Sequence, residues 1–269
     1  MDFMLNGKMV HAGTGGIEFD DSKPVIMFIH GASMDHTVWA LQGRYFAHHG
    51  YSILAVDLPG HGTSEGPPLQ SIEEMAEWTA TTIDAISPTP VILVGHSMGA
   101  MVALETAAQN PVKIAAMALA GIAVPMSVNP HLLTQTAQEP PAAIDSIVAW
   151  AYSQRSQLGG TTVPGLWMLG GGRKLIERNA SGQLYVDFKA CDSYSRGLES
   201  AANVNCPTLI IAGNDDKMTP PKASEALRRA LTYSRIEYIK GGGHMMMIER
   251  PDQTLDVLKD FLGTTDTLG

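Results

Sequence analysis

Hydrophobic positions fall into short unbroken runs separated by amphipathic stretches. Residues 25–29, 53–56, 91–94, 115–119 and 209–212 are apolar without interruption, and 236–239 is a weaker run of the same kind. A strand that is apolar on both faces belongs in a parallel sheet covered by helices on both sides. Ahead of these runs, Phe3 to Leu5 and Met9 to His11 flank Asn6-Gly7, the pattern of a two-residue hairpin. Between the runs the period changes to that of a helix. Residues 71–86 place Ile72, Met75, Ala76, Thr79, Ile83 and Ile86 on one stripe, and Ser71 with Glu74 reads as a capping box. Residues 98–109 are good helix formers that stop before Pro111. Pro251 opens a last helix with the stripe Leu255, Leu258, Phe261 and Leu262. Strands alternating with helices predict an α/β doubly wound fold, a mostly parallel twisted sheet flanked by helices.

The alternation breaks once. From about Pro125 to Cys206 no strand of the buried type is found. Helical fragments, Gly159-Gly160, Gly170-Gly171-Gly172 and prolines at 125, 130, 140, 141 and 164 take its place. The shift in composition predicts an inserted helical cap over residues 125–206, with 1–124 and 207–269 forming the core. The insert carries Trp150, Tyr152, Trp167 and Met168. It reads either as a small satellite core or as a lid over a pocket. The lid is favoured, because so long an excursion from a compact domain is usually functional.

Composition narrows the function classes. The chain has 269 residues, 45% of them hydrophobic and 17% charged, a globular profile. With 18 basic and 27 acidic residues its formal net charge is −9, which repels phosphate backbones and argues against a nucleic-acid partner. Cys191 and Cys206 are too few for a disulfide framework or a four-ligand zinc site. The first residues show neither a basic region nor a long apolar one. The longest run without a strongly polar residue, 114–126, has thirteen residues, short of a membrane span. A cytoplasmic, soluble protein is expected.

The strongest chemical signal is Gly95-His96-Ser97-Met98-Gly99, set directly between a predicted strand and a predicted helix. A serine in this setting sits on a sharp turn that lifts its hydroxyl above the sheet, and the flanking positions must be very small. A serine hydroxyl needs a general base. Most of the nine histidines sit where an ordinary role accounts for them: His30 and His96 flank turns, and His48 and His49 end an amphipathic helix. His244 follows Gly241-Gly242-Gly243 just beyond the strand 236–239, at the carboxyl edge where such sheets bind ligands. The base in turn needs an orienting carboxylate. Asp215 and Asp216 follow the strand 209–212, and either could reach a histidine on the neighbouring strand. A tetrahedral intermediate needs N–H donors. Met98 N–H is one, and Ala32 N–H, in His30-Gly31-Ala32 after the strand 25–29, is assigned as the second.

These residues resemble the α/β-hydrolase superfamily in its single-domain, lidded esterase and C–C hydrolase branch. The likeness spans nearly the whole chain. It rests on Phe28-Ile29-His30-Gly31 with Trp39 downstream, on residues 56–64 (VDLPGHGTS), on residues 94–99 (VGHSMG), on residues 207–216 (PTLIIAGNDD) and on Gly243-His244. The resemblance implies that the acid is the fourth residue of the G-x-x-D turn, Asp216. It implies that the segment after His30-Gly31 supplies an oxyanion amide, matching Ala32, and that Asp57 is structural. It implies a Ser97–Asp216–His244 triad in that chain order. A serine nucleophile departs from the aspartate of dehalogenases and epoxide hydrolases. His96 departs from the asparagine frequent in aromatic-ring C–C hydrolases.

The leading expectation is a serine esterase acting through an acyl-enzyme, with no metal or organic cofactor and an apolar small-molecule ester as substrate. The same triad could act on thioester or C–C bonds or form peracids, since fold and triad do not choose among them. A ligand-binding member without turnover is a third class. Trp150, Trp167, Met168, Met245 and His36 are candidate pocket residues. Packing is the competing role for Met245 and a surface position the competing one for His36.

Overall fold

The computed structural model describes residues 1–160, 166–179 and 182–265. A hairpin of β1 (Asp2–Leu5) and β2 (Lys8–Gly13) turns at Asn6-Gly7, both with positive φ (50° and 77°). The other strands are β3 (Val25–Ile29), β4 (Ser52–Val56), β5 (Val91–His96), β6 (Ile114–Ala120), β7 (Thr208–Gly213) and β8 (Ser234–Ile239). They form one eight-stranded sheet in the order β1-β2-β4-β3-β5-β6-β7-β8. β2 pairs antiparallel with β1 and β4, and every other pairing is parallel.

The unbroken apolar runs have a direct cause: alternate residues enter two different cores. Ile26, Phe28, Ile92, Val94, Leu209 and Ile211 belong to the cluster on one face of the sheet. Val25, Met27, Ile29, Val91, Leu93 and Ile210 belong to the cluster on the other. Helices α2 (Ile72–Ile86) and α3 (Met98–Gln109) cover the second face. On the first lie α1 (Ala40–Ala47) and the C-terminal helix (Pro251–Thr265). β8 is one of the two edge strands and is mostly half-exposed, which is why its apolar signal is weak. Ser71 caps α2, its hydroxyl accepting from Glu74 N–H at 3.1 Å. The returning Glu74 carboxylate takes the N–H of Gln70 at 2.8 Å rather than that of Ser71 itself, one residue off the expected box.

Between β6 and β7 the described residues form α4 (Pro130–Gln138), α5 (Pro140–Ala151), α6 (Gln154–Gln157), α7 (Met168–Glu177), α8 (Gln183–Ser193) and α9 (Gly197–Asn203). Pro130 and Pro140 open α4 and α5, where a missing N–H costs nothing. Pro164 lies outside the described residues. Gly170-Gly171-Gly172 lies inside α7. A Cβ at Gly170 would strike the Trp167 ring, and one at Gly172 would meet the Tyr152 ring at 2.7 Å, so two of these glycines serve close packing. Leu132, Ile144, Ile147, Val148, Leu184 and Phe188 join the cluster on the first face of the sheet. These residues of the segment thus share the main core.

Candidate active site

β5 ends at His96, and Ser97 turns the chain into α3. Ser97 has φ 54° and ψ −115°, a left-handed conformation that costs a non-glycine residue about 1–3 kcal/mol. Its N–H is tied to Ala120 carbonyl at 2.9 Å. The glycines on either side are demanded by crowding and not by positive φ. A Cβ at Gly95 would collide with the Gly99 carbonyl, and one at Gly99 would lie 2.5 Å from the carbonyl oxygens of Ile29 and His30.

His244 follows the glycine loop after β8, and its N–H donates to Ala151 carbonyl at 2.7 Å. Its Nδ1 meets Asp216 Oδ2 at 2.9 Å, both side chains being almost fully buried. Of the two candidate aspartates, only Asp216 makes this contact; Asp215 is exposed, with its N–H on Gly242 carbonyl at 2.9 Å. Asp216 Oδ1 accepts from Met218 N–H at 2.9 Å and Thr219 N–H at 2.8 Å, and Oδ2 accepts from the Thr219 hydroxyl at 2.7 Å. Burial works to raise the pKa of this carboxyl. His244 and the Thr219 donors outweigh it and hold Asp216 below the usual carboxylate range.

Ser97 and His244 are walls of one cavity of about 230 Å³. The His244 ring is bonded to Asp216 and Thr219 and not to the Ser97 hydroxyl; hydrogen bonds of this kind are often long in the absence of a ligand. Ala32 is a wall of the same cavity. Met98 opens α3, and neither its amide nor that of Ala32 has a protein acceptor among the described residues. Apolar lining comes from Met126, Val128, Leu132, Trp150, Phe188 and Met218; Ser127, Asn129 and Lys217 are polar.

Of the five candidate pocket residues, Trp150 alone lines this cavity. Trp167 is 72% exposed and, with Met168, borders a separate cleft beside Tyr152 and Val38. Met168 also packs into the core on the first face of the sheet. Met245 is 1% exposed and packs in that core, so the packing role is the correct one. His36 is held away by Asp57, whose Oδ1 accepts from both its N–H and its Nδ1 at 2.8 Å.

Sequence reasoning missed the contacts that Thr219, His96 and His30 make around this site. Thr219 bridges Asp216 and His244, its hydroxyl lying 3.2 Å from His244 Nδ1 while bonded to Asp216. A threonine three residues past an aspartate carries no distinctive signal. His96 is not a mere turn residue: its Nε2–H donates to His244 carbonyl at 2.9 Å and its ring packs on the His244 ring, centroids 4.8 Å apart. Burial first, then His244, depresses its pKa to about 3, so it is a neutral donor. Gly31 makes room for it, since a Cβ there would lie 2.8 Å from His96 Nδ1. His30, likewise neutral with its pKa pushed down by burial to about 4, donates from Nδ1 to Gly31 carbonyl at 2.8 Å and accepts from Leu58 N–H at 3.1 Å.

Among the described residues, His11, His36 and Asp57 have the types of a metal site, with ligand atoms within 4.8 Å of one another. Their donors are already engaged, His11 with Asp2 at 2.6 Å and His36 with Asp57 at 2.8 Å, and none of the three lines the Ser97 cavity.

Fold and geometry together define an α/β-hydrolase. The sequence signature of the Alpha/beta hydrolase family matches residues 26–257, and the chain belongs to that family. A curated relative is (E)-2-((N-methylformamido)methylene)succinate hydrolase of Acinetobacter baylyi. It is 22% identical over 263 residues, covering 92% of this chain and 93% of that protein. Protein ABHD8 of Mus musculus is 25% identical over 250 residues, and there the match spans 88% of this chain but only 55% of the longer relative. Among solved structures, the enol-lactonase of Burkholderia xenovorans superposes with a TM-score of 0.84 at 21% identity, covering 98% of this chain and all of that one (100%). At that identity the superposition speaks for the fold. No described helix is long and apolar enough to cross a membrane.

Proposed function

We propose that the chain is a serine hydrolase that cleaves small carboxylic esters through an acyl-enzyme, with the β6–β7 helical segment (125–206) capping the site. The observation that carries this reading is the Asp216–His244 pair at 2.9 Å opening onto the cavity that Ser97 shares. His244 takes the Ser97 proton as Oγ attacks the ester carbonyl. Asp216 holds the Nδ1–H tautomer and stabilises the imidazolium that forms. The carbonyl electron pair moves to oxygen, facing the amides of Ala32 and Met98. Collapse expels the alkoxide, which takes the proton from His244. Water then attacks the acyl-Ser97 carbon by the same route and releases the acid.

The cavity favours a small substrate. Its volume lies below the roughly 300–1,000 Å³ of pockets for drug-sized ligands, and most of its lining is apolar. Short acyl esters fit these limits. The activities named for two similar proteins, a succinate-derivative hydrolase and an enol-lactonase, are hydrolytic in the same sense.

The test is steady-state hydrolysis of p-nitrophenyl esters from acetate to octanoate. Multiple turnover is expected, fastest at short acyl length and lost by several orders of magnitude in Ser97→Ala with folding intact. A phosphonate probe should add its mass to the peptide containing Ser97. Absence of ester turnover in a protein that processes acyl-CoA thioesters or vinylogous diketones would overturn the ester assignment.

A further inference from the structure

The loop that carries Ala32 is gripped from the β6–β7 segment. Met34 N–H closes a turn onto Gly31 carbonyl at 3.2 Å, with Ala32 and Ser33 as its central residues. Ser33 has φ 53° and Ala32 has no positive φ, the pattern of a type II turn, whose third position glycine normally takes. Serine there needs outside support. Ser33 N–H donates to Asp187 Oδ2 at 2.7 Å, and Ser33 carbonyl accepts from Asn179 Nδ2 at 2.7 Å. Further along, Arg178 ion-pairs with Asp35 and donates to the Thr37 hydroxyl at 2.7 Å.

Asp187 is on α8 and fully buried, one residue before Phe188, which lines the Ser97 cavity. Its Oδ2 also meets His61 Nε2 at 2.9 Å, while its Oδ1 has no partner. Burying a carboxylate with a bare oxygen is costly. The 2.7 Å bond from Ser33 N–H offsets part of that cost by giving the other oxygen a buried backbone donor. It also opposes the alternative turn. Flipping the Ala32–Ser33 peptide would bring a carbonyl oxygen toward the carboxylate in place of the N–H.

We propose that Asp187 is a positioning residue: through Ser33 it locks the turn that presents the Ala32 amide to the developing oxyanion. The helix that walls the substrate cavity thereby also sets the oxyanion donor. The inference rests on the serine-hydrolase reading above.

The experiment compares Asp187→Ala with Asp187→Asn. Removing an oxyanion donor outright costs about 10²–10³-fold, so loosening one should cost Asp187→Ala about 10- to 100-fold in kcat. KM should stay within about twofold, since the cavity walls remain. The inhibition constant of a trifluoromethyl ketone, which forms a tetrahedral adduct on the serine, should rise by the same factor as kcat falls. Asp187→Asn keeps an oxygen toward Ser33 and should recover most of the loss. Without any substrate, hydrogen exchange at the Ser33 amide should quicken in Asp187→Ala. Wild-type kcat and ketone affinity in Asp187→Ala overturn the proposal, as does a loss carried by KM alone. If Asp187→Ala does not fold, Asn179→Ala releases the Ser33 carbonyl and should lower kcat several-fold at constant KM; an unchanged kcat there overturns the proposal. If the wild type turns over no ester, the hydrolase reading fails, and the exchange rate at Ser33 still decides the clamp.

Discussion

Asp216→Asn tests the acid assignment because the structure dictates which way the new amide must face. Asp216 Oδ1 accepts two backbone N–H groups, from Met218 at 2.9 Å and Thr219 at 2.8 Å. An asparagine places its one carbonyl oxygen there, since an NH₂ opposite two donors would leave all of them unsatisfied. Its NH₂ then faces His244 Nδ1, where Oδ2 stood at 2.9 Å. Donating to Nδ1 drives the imidazole proton to Nε2, and the ring loses the lone pair that would accept the Ser97 proton. In a triad, that tautomer error costs about 10⁴-fold in kcat, or about 5.5 kcal/mol of barrier. Asp215→Asn touches none of this: the side chain is exposed, and its backbone bond to Gly242 survives the change. The assay is kcat for p-nitrophenyl butyrate on both variants, with circular dichroism to confirm folding. Comparable losses in the two, or Asp216→Asn retaining more than about a tenth of wild-type kcat, would refute the tautomer argument.

Three further outcomes follow from other parts of the fold. Ser97→Gly relieves a left-handed residue and, after glycine's own entropy cost, should raise stability by about 1 kcal/mol while abolishing turnover; a lowered melting temperature would deny the strain at φ 54°. Asp57 is fully buried; burial opposes its ionisation, but bonds from His36 and Thr63 bring its pKa down to about 2. The depressed value stabilises the fold above the unfolded carboxylate range, and about 2 kcal/mol is lost as pH falls from about 4 through 2, so Asp57→Asn should flatten that limb in urea titrations. Glu249 gives one oxygen to Gly243 N–H and the other to Ser153 N–H, each at 2.9 Å. Glu249→Gln leaves one of those buried amides facing an NH₂, a loss of about 1–3 kcal/mol that calorimetry would register as several degrees.

The strands and the turn at Ser97 are legible in sequence because each obeys a local rule. Residues 25–29 and 91–94 are apolar at every position because neighbours alternate between two covered faces. Gly95 and Gly99 announce the elbow because no Cβ fits beside the crossing backbone. What stayed hidden depends on where distant chain segments meet. His36 lies only four residues beyond Ala32, yet Asp57 pulls it away from the Ser97 cavity. Trp167 is as aromatic as Trp150, but only Trp150 lines the cavity with Ser97. His96 looked like turn filling because its partner, the His244 carbonyl, is 148 residues away. Asp187 offered no motif, since its meaning lies in a left-handed serine 154 residues earlier. The turn at Ser97 is encoded in its immediate neighbours, whereas the side chains bonded to His244 and to the Ala32 loop come from segments far away in sequence. Ser97 was therefore readable from a pentapeptide. Thr219, His96 and Asp187 are readable only in the folded chain, since their partners lie 25, 148 and 154 residues away.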